Sequence, residues 1–239
     1  NKTLVNRLDK HDRSDSRRYH LEYLQADFFL YVKHLLPHIF SPKEDAMYLV
    51  FDSETTGLPK DWKAPMSQLD NWPRVIQLGW AFYDSRFCLI EKRVDLIKPD
   101  GWIVPSEKFW IDNGFNQESS ERDGIPITES LNAFLDKLES SKYLIAHNMS
   151  YDHKVVGAEF LRLRLRAQNR PKRICTKDES TDFCKIPGPY GFKWPTLLEL
   201  HNVLFKEGFV DGHDALVDVE ACARCFFEML RLKVISLSE

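Results

Sequence analysis

Asp52 and Glu54 stand one residue apart at the end of an apolar run, Tyr48-Leu49-Val50-Phe51, that stops at Gly57. In a strand, side chains alternate faces, so both carboxylates point the same way. Carboxylates held side by side repel, and the usual remedies are a shared proton or a bound cation. Hard oxygen donors at this density suit Mg²⁺ or Mn²⁺. An Asp-x-Glu by itself is equally compatible with two exposed acids at a strand end, so the reading depends on further ligands. Asp152, in His147-Asn148-Met149-Ser150-Tyr151-Asp152, falls in the first turn of a predicted helix that follows a short apolar strand. Asp218, in His213-Asp214-Ala215-Leu216-Val217-Asp218, falls in the first turn of the last predicted helix. A helix N-terminus favours negative charge, which suits an ionised, metal-binding Asp at both places. His213 lies on the lead-in loop and can be aimed independently of Asp218.

The elements that must position these groups follow from periodicity. Residues 1–45 read as an N-terminal helical extension, with a helix from Tyr19 carrying Leu21, Leu24, Phe28, Val32 and Leu35 and ending at Pro37. Arg13, Arg17 and Arg18 at its start read as a solvated helix end, with contact to a phosphate backbone as the alternative. Residues 46–232 read as one domain and 233–239 as a tail. Three strands, about 47–53, 74–84 and 86–97, form an antiparallel meander with a short Asp84-Ser85 turn. The intervening loop 58–73, with Trp62 and Trp72, is long enough to wall a substrate or to be pinned by its tryptophans. Residues 98–125 read as loop with a short helix at 106–111. A helix from Pro126 to about 139, capped by Thr128, leads to the strand 142–146. A helix over 150–166 and a strand near 173–176 follow. Helices over 195–206 and 214–231 close the chain. The order β-β-β-α-β-α-β-α-α predicts a mixed five-stranded α/β sheet with helices on both faces.

Composition narrows the function classes. The 239 residues carry a net charge of −3, so no bulk basic field announces a polyanion partner. The local basic cluster, Arg162, Arg164, Arg166, Arg170, Lys172 and Arg173, reads as a solvated helix end before it reads as a nucleic-acid contact. No signal-peptide pattern and no membrane-length apolar run is visible, and the chain opens on Asn1 as a trimmed or processed chain would. The five cysteines are odd in number and sparsely spaced, which predicts reduced thiols in a cytoplasmic protein. Cys222 and Cys225, at i and i+3 in a helix, read as apolar packing, with a zinc site as the rival.

Together the three motifs resemble the DEDD superfamily of 3′→5′ exonucleases on the RNase H-like fold, typified by the proofreading epsilon subunit of bacterial DNA polymerase III. They occur in the family's order: Phe51-Asp52-x-Glu54-Thr55-Thr56-Gly57-Leu58, His147-Asn148-x-x-Tyr151-Asp152, and His213-x-Ala215-x-x-Asp218. His213 matches the histidine subtype; the place where the other subtype needs Tyr is Asp214. The resemblance spans about 46–232. It departs at Asp112-Asn113-Gly114-Phe115, where the family often carries Ile-His-Gly-Ile, and in the longer 58–73 loop.

The resemblance implies a metal-dependent phosphodiesterase with two divalent cations, Mg²⁺ or Mn²⁺, held by Asp52, Glu54, Asp152 and Asp218. It implies His213 as general base. It places the terminal nucleotide against Thr55, Thr56 and Leu58, with Asn148 orienting the site. The expected partner is a nucleic acid with a free 3′ end, single-stranded DNA first, in proofreading or repair, with a DNA polymerase as a further partner and no membrane. The rivals are an exoribonuclease of the same fold and a non-catalytic nucleic-acid- or polymerase-binding module.

Overall fold

The computed structural model describes residues 46–209 and 212–237. The N-terminal helix expected before residue 46, with its arginines, lies outside the described residues.

Strand β1 (Tyr48–Thr55) is central because its residues are apolar on both faces until Asp52. It pairs antiparallel with β2 (Val75–Tyr83), which pairs antiparallel with β3 (Leu89–Leu96). On its other side β1 runs parallel to β4 (Tyr143–Ala146), which runs parallel to β5 (Lys172–Cys175). The resulting order, β3-β2-β1-β4-β5, is the mixed five-stranded sheet that the element pattern predicts.

Register decides which side chains share a face. Leu49 opposes Phe82 and Phe51 opposes Trp80. These pack in one apolar cluster with Leu131, Phe134 and Leu138 of α3 (Ile127–Ser140) and Val155, Val156 and Phe160 of α4 (Met149–Arg162). On the opposite face Tyr48 and Tyr83 lie against Phe227 of α8 (Ala215–Arg231), at ring-centroid distances of 6.1 and 5.0 Å. Helices therefore cover both faces, as the mixed strand order requires.

Several boundaries differ from expectation. β1 runs two residues further, so Glu54 is still in the strand. Helix α3 has Pro126 at its N-cap with no side-chain cap, so Thr128 is not the cap. Helix α4 ends at Arg162 rather than 166, and Arg164 turns left-handed at φ 57°. Arg162 donates to the carbonyls of Leu69 and Trp72, so the head of the basic cluster is a structural tie rather than a solvated end. The 98–125 stretch holds α1 (Lys108–Asp112) and a second helix, α2 (Gln117–Asp123), whose N-cap Asn116 accepts from the Ser119 N–H. Two one-turn helices, α5 (Thr176–Glu179) and α6 (Thr181–Cys184), follow β5. A small hairpin of β6 (Pro187–Gly188) and β7 (Gly191–Phe192) leads to α7 (Leu197–Phe205). Beyond α8, Ile235 folds back and is buried, its N–H donating to the Met229 carbonyl. Cys222 and Cys225 are buried in α8, the Cys222 thiol 3.6 Å from the Thr176 hydroxyl.

The 58–73 loop is ordered by its own polar groups. Trp72 is buried and donates its indole N–H to Pro65, while Asn71 exchanges hydrogen bonds with the backbone of Asp61. Trp62 remains half exposed, its ring 5.7 Å from Tyr151.

Candidate metal and active site

The parallel strands β1 and β4 end on the same side of the sheet, the side where open α/β sheets hold their ligands. Asp52, Glu54 and Asp218 meet there, each offering a carboxylate oxygen within 4.8 Å of the others. Two residues of β2 make the meeting possible. Gly79 opposes Asp52, and a Cβ on it would stand 2.7 Å from the backbone C and O of Ala215. Only a glycine lets the first turn of α8 descend onto the strand. Gln77 opposes Glu54 and grips the same turn: its Oε1 accepts from the Ala215 N–H at 2.8 Å, and its Nε2 donates to Asp214. Asp214 is the N-cap of α8, accepting from the N–H groups of Leu216 and Val217. Asp218, one turn on, is thereby set beside Asp52.

Asp152 enters from the first turn of α4 and is buried. The Ser53 hydroxyl donates to its Oδ1 at 2.7 Å. Ser53 faces away from Asp52 and Glu54 along the strand, so Asp152 stands outside the close group of three, near enough for its charge to act on Asp52 and Glu54.

Electrostatics marks the cluster as short of positive charge. Burial first, then Asp152, Asp218, Glu54 and Asp214, hold the Asp52 carboxyl well above the usual range. Burial, followed by the charges of Asp218, Asp152 and Asp214, pushes Glu54 up to about 8. Burial lifts Asp152 to about 7, against the Ser53 hydroxyl, backbone N–H groups and the Lys177 ammonium. Asp218 is raised by burial against the His213 N–H and imidazole. An all-oxygen donor set in which burial penalises every charge fits hard divalent cations such as Mg²⁺ or Mn²⁺.

His213 sits at the rim, half exposed and in a left-handed conformation at φ 76°. Its N–H donates to Asp218 at 3.0 Å, and its Nδ1 lies 4.0 Å from Glu54. The ring meets Phe109 of α1 edge-on at 5.0 Å.

The turn after β1 is held by groups that the motif pattern alone did not assign. The Tyr151 hydroxyl lies 2.6 Å from the Thr55 hydroxyl and donates to the Gly57 carbonyl. The Trp110 indole N–H donates to the Thr55 carbonyl, and the Thr56 hydroxyl accepts from the Arg74 N–H. Gly57 adopts φ 146°, which a side chain would strain. Leu58 projects into solvent at 73% exposure. Asn148, left-handed at φ 83°, accepts from Lys177 at 2.5 Å instead of capping α4. Burial lowers His147 to about 4, so its imidazole is neutral. Its Nε2 donates to the Pro195 carbonyl, which can only accept, leaving Nδ1 to accept from the Thr176 hydroxyl at 2.9 Å. His147 is thus a pin between the end of β4, the start of α5 and the approach to α7. Signals for the unassigned partners were present in the sequence: a glycine and a glutamine inside an apolar strand, and a lysine two residues past β5.

The chain matches no protein-family model and no curated protein sequence. Its fold is similar to that of solved exonuclease structures. Crystal structures of E. coli Exonuclease I match with a TM-score of 0.62 and 18% identity for the complex with a dT13 oligonucleotide, covering 79% of this chain and 42% of that one. The complex with a dA16 oligonucleotide matches at 0.59 and 17%, again over 79% and 42%. A product-bound exonuclease I matches at 0.59 and 17%, over 80% of this chain and 45% of that one. The likeness supports the RNase H-like class of the sheet, and the chain spans less than half the length of these proteins.

Proposed function

We propose that this chain is a metal-dependent 3′→5′ exonuclease of the DEDD histidine subtype, releasing nucleoside 5′-monophosphates from single-stranded DNA. One observation carries the reading. Carboxylates from β1 and α8 converge at one strand end, with Asp152 of α4 bonded to the intervening Ser53 and an accessible imidazole 4.0 Å from Glu54. The domain that performs this would be residues 46–232. Asp52, Glu54, Asp152 and Asp218 would hold two divalent cations, Mg²⁺ or Mn²⁺. When bound, the cations would offset the carboxylate charge and stabilise charge developing on the phosphate and on the departing 3′-oxygen.

The chain's own groups do the remaining work. His213, at the rim and open to solvent, takes the proton of the attacking water. The edge contact with Phe109 and the N–H bond to Asp218 aim the ring while leaving it free to carry that proton away. The Thr55–Leu58 turn, braced by Tyr151 and Trp110, receives the terminal nucleotide, with Leu58 as an apolar wedge against its base. Lys177 holds Asn148 in place beside Asp152. The fold likeness to Exonuclease I, solved with dT13 and dA16 oligonucleotides, supports DNA as the polymer. A polymerase partner has no support among the described residues.

The test is incubation of the purified protein with 5′-labelled single-stranded DNA and RNA in Mg²⁺, Mn²⁺ or EDTA, beside Asp52→Ala. A metal-dependent ladder shortening from the 3′ end of DNA, absent in the variant, is expected. A ladder on RNA alone would reassign the substrate. No ladder on either polymer would leave a binding module.

A further inference from the structure

The hairpin between β5 and α7 carries aromatic side chains that the proposed chemistry does not use. Tyr190 at its tip is fully exposed, and Phe192 and Trp194 are 50% and 64% exposed. Large rings left in water need a partner or a reason. Their arrangement is regular. The Lys193 N–H continues the hairpin ladder to the Ile186 carbonyl, and the Lys193 side chain turns to pair with Glu199 at 2.6 Å. In extended backbone its neighbours Phe192 and Trp194 then share the opposite side, about 7 Å apart along the chain.

The foot of this hairpin is tied to the second motif. The His147 imidazole donates to the Pro195 carbonyl at 3.1 Å. The Lys177 ammonium sits 4.9 Å from the Trp194 ring centroid while donating to Asn148, the residue that opens the helix of Asp152. One lysine therefore bridges the aromatic face and the carboxylate site.

We infer that Tyr190, Phe192 and Trp194 form a stacking platform for unpaired bases of a nucleic-acid single strand whose 3′ end occupies the carboxylate site. The inference rests on the nuclease reading for the direction of the strand, not for the platform itself. Exposed rings beside a cation, continuous with a site for a terminal nucleotide, match how single strands are held without sequence preference. The local charge is mixed, with Lys177, Lys185 and Lys193 set against Asp178, Glu179, Asp182 and Glu199. Stacking rather than phosphate neutralisation must then carry the contact, and the platform's contribution should change little with added salt.

The test measures binding of labelled oligothymidylates of about three and about twelve nucleotides by anisotropy, in EDTA to stop cleavage, over the length range single-strand sites cover. The longer strand should bind more tightly than the shorter. Trp194→Ala and Tyr190→Ala should each reduce that advantage roughly 5- to 150-fold, the range for losing one stacked base. Trp194→Phe, which keeps a ring, should retain most of it. Tyr190→Ala removes a fully exposed ring, Trp194→Ala a partly covered one that touches Lys177, and unchanged melting points would confirm that both variants fold. Equal binding of the two lengths, or an advantage untouched by both variants, overturns the platform. So does an advantage that collapses with salt, or a hairpin whose variants change the sedimentation of the protein instead, which would assign the rings to a second copy of this chain. Wild-type protein assayed in Mg²⁺ separates the two claims. Ring-dependent binding without shortening leaves the platform and removes the nuclease, whereas shortening with ring-independent binding does the reverse.

Discussion

The two ends of β1 meet the same helix, α8, and serve opposite purposes. At the N-terminal end Tyr48 stacks on Tyr143 at 5.2 Å and meets Phe87, Phe226 and Phe227, all buried. At the C-terminal end the same strand presents Asp52 and Glu54 to Asp218 from the same helix, α8. One end gains stability by removing rings from water. The other gathers like charges that burial makes unfavourable. Strand and helix can hold the second only because the first fixes their spacing. The difference teaches that chemistry at one end of an element is sustained by packing at the other, and that changes at the two ends should separate activity from stability.

The sharpest break in that comparison is Asp52→Ala. Cleavage should fall to background, while the melting point of the metal-free protein stays level or rises, because one member of a repelling group is gone. A destabilised variant would show that Asp52 belongs to the packing rather than the site. His213→Ala should lower the rate about 10²–10⁴-fold, the usual span for a general base. An unchanged rate would remove His213 from that role. Phe227→Ala at the opposite end should cost about 3–5 kcal/mol in denaturant unfolding. Its protein, where still folded, should cleave with near-normal kinetics.

Gly79→Ala joins the two regions. The added methyl would stand 2.7 Å from the Ala215 backbone, so the first turn of α8 must shift. Overpacking of this kind costs about 1–3 kcal/mol. The same shift draws Asp218 from Asp52, so Mn²⁺ affinity measured by calorimetry should weaken along with stability. Loss of stability with unaltered metal affinity would mean that the helix turn does not set the spacing.

How much of this was legible in the chain follows from the range of each signal. The order of elements along the chain was readable because apolar runs and helical periods are local patterns, and the three acidic motifs were readable because each fits within a few residues. The contribution of Gln77 and Gly79 was not, since their partners Asp214 and Ala215 lie far along the chain and only the sheet register brings them together. Helix α2 escaped notice because it is polar and short, although Asn116 marks its start. The end of α4 was misplaced because Leu161-Arg162-Leu163-Arg164-Leu165-Arg166 alternates as a strand would. The chain leaves the helix through the left-handed Arg164, where the Leu165 N–H returns to the Phe160 carbonyl.

The smallest effect probes the acidic end directly. Burial, then the charges of Asp218, Asp152 and Asp214, raise Glu54 to about 8 from 4.5, and burial raises Asp152 to about 7 from 3.8. Groups that bind protons more tightly when folded stabilise the fold fully below their unfolded values, and that contribution is lost as pH rises through the folded ones. Metal-free protein should therefore melt progressively lower as pH climbs from the acid range toward about 8. Divalent cations bind the deprotonated carboxylates, so added Mn²⁺ should raise the melting point most at the alkaline end, where the repulsion is greatest. Asp52→Asn should shrink both the pH slope and the Mn²⁺ response, while Phe227→Ala lowers the whole curve without changing its shape. A slope that persists in Asp52→Asn would place its origin outside the carboxylate cluster and detach the electrostatics of that end from its proposed chemistry.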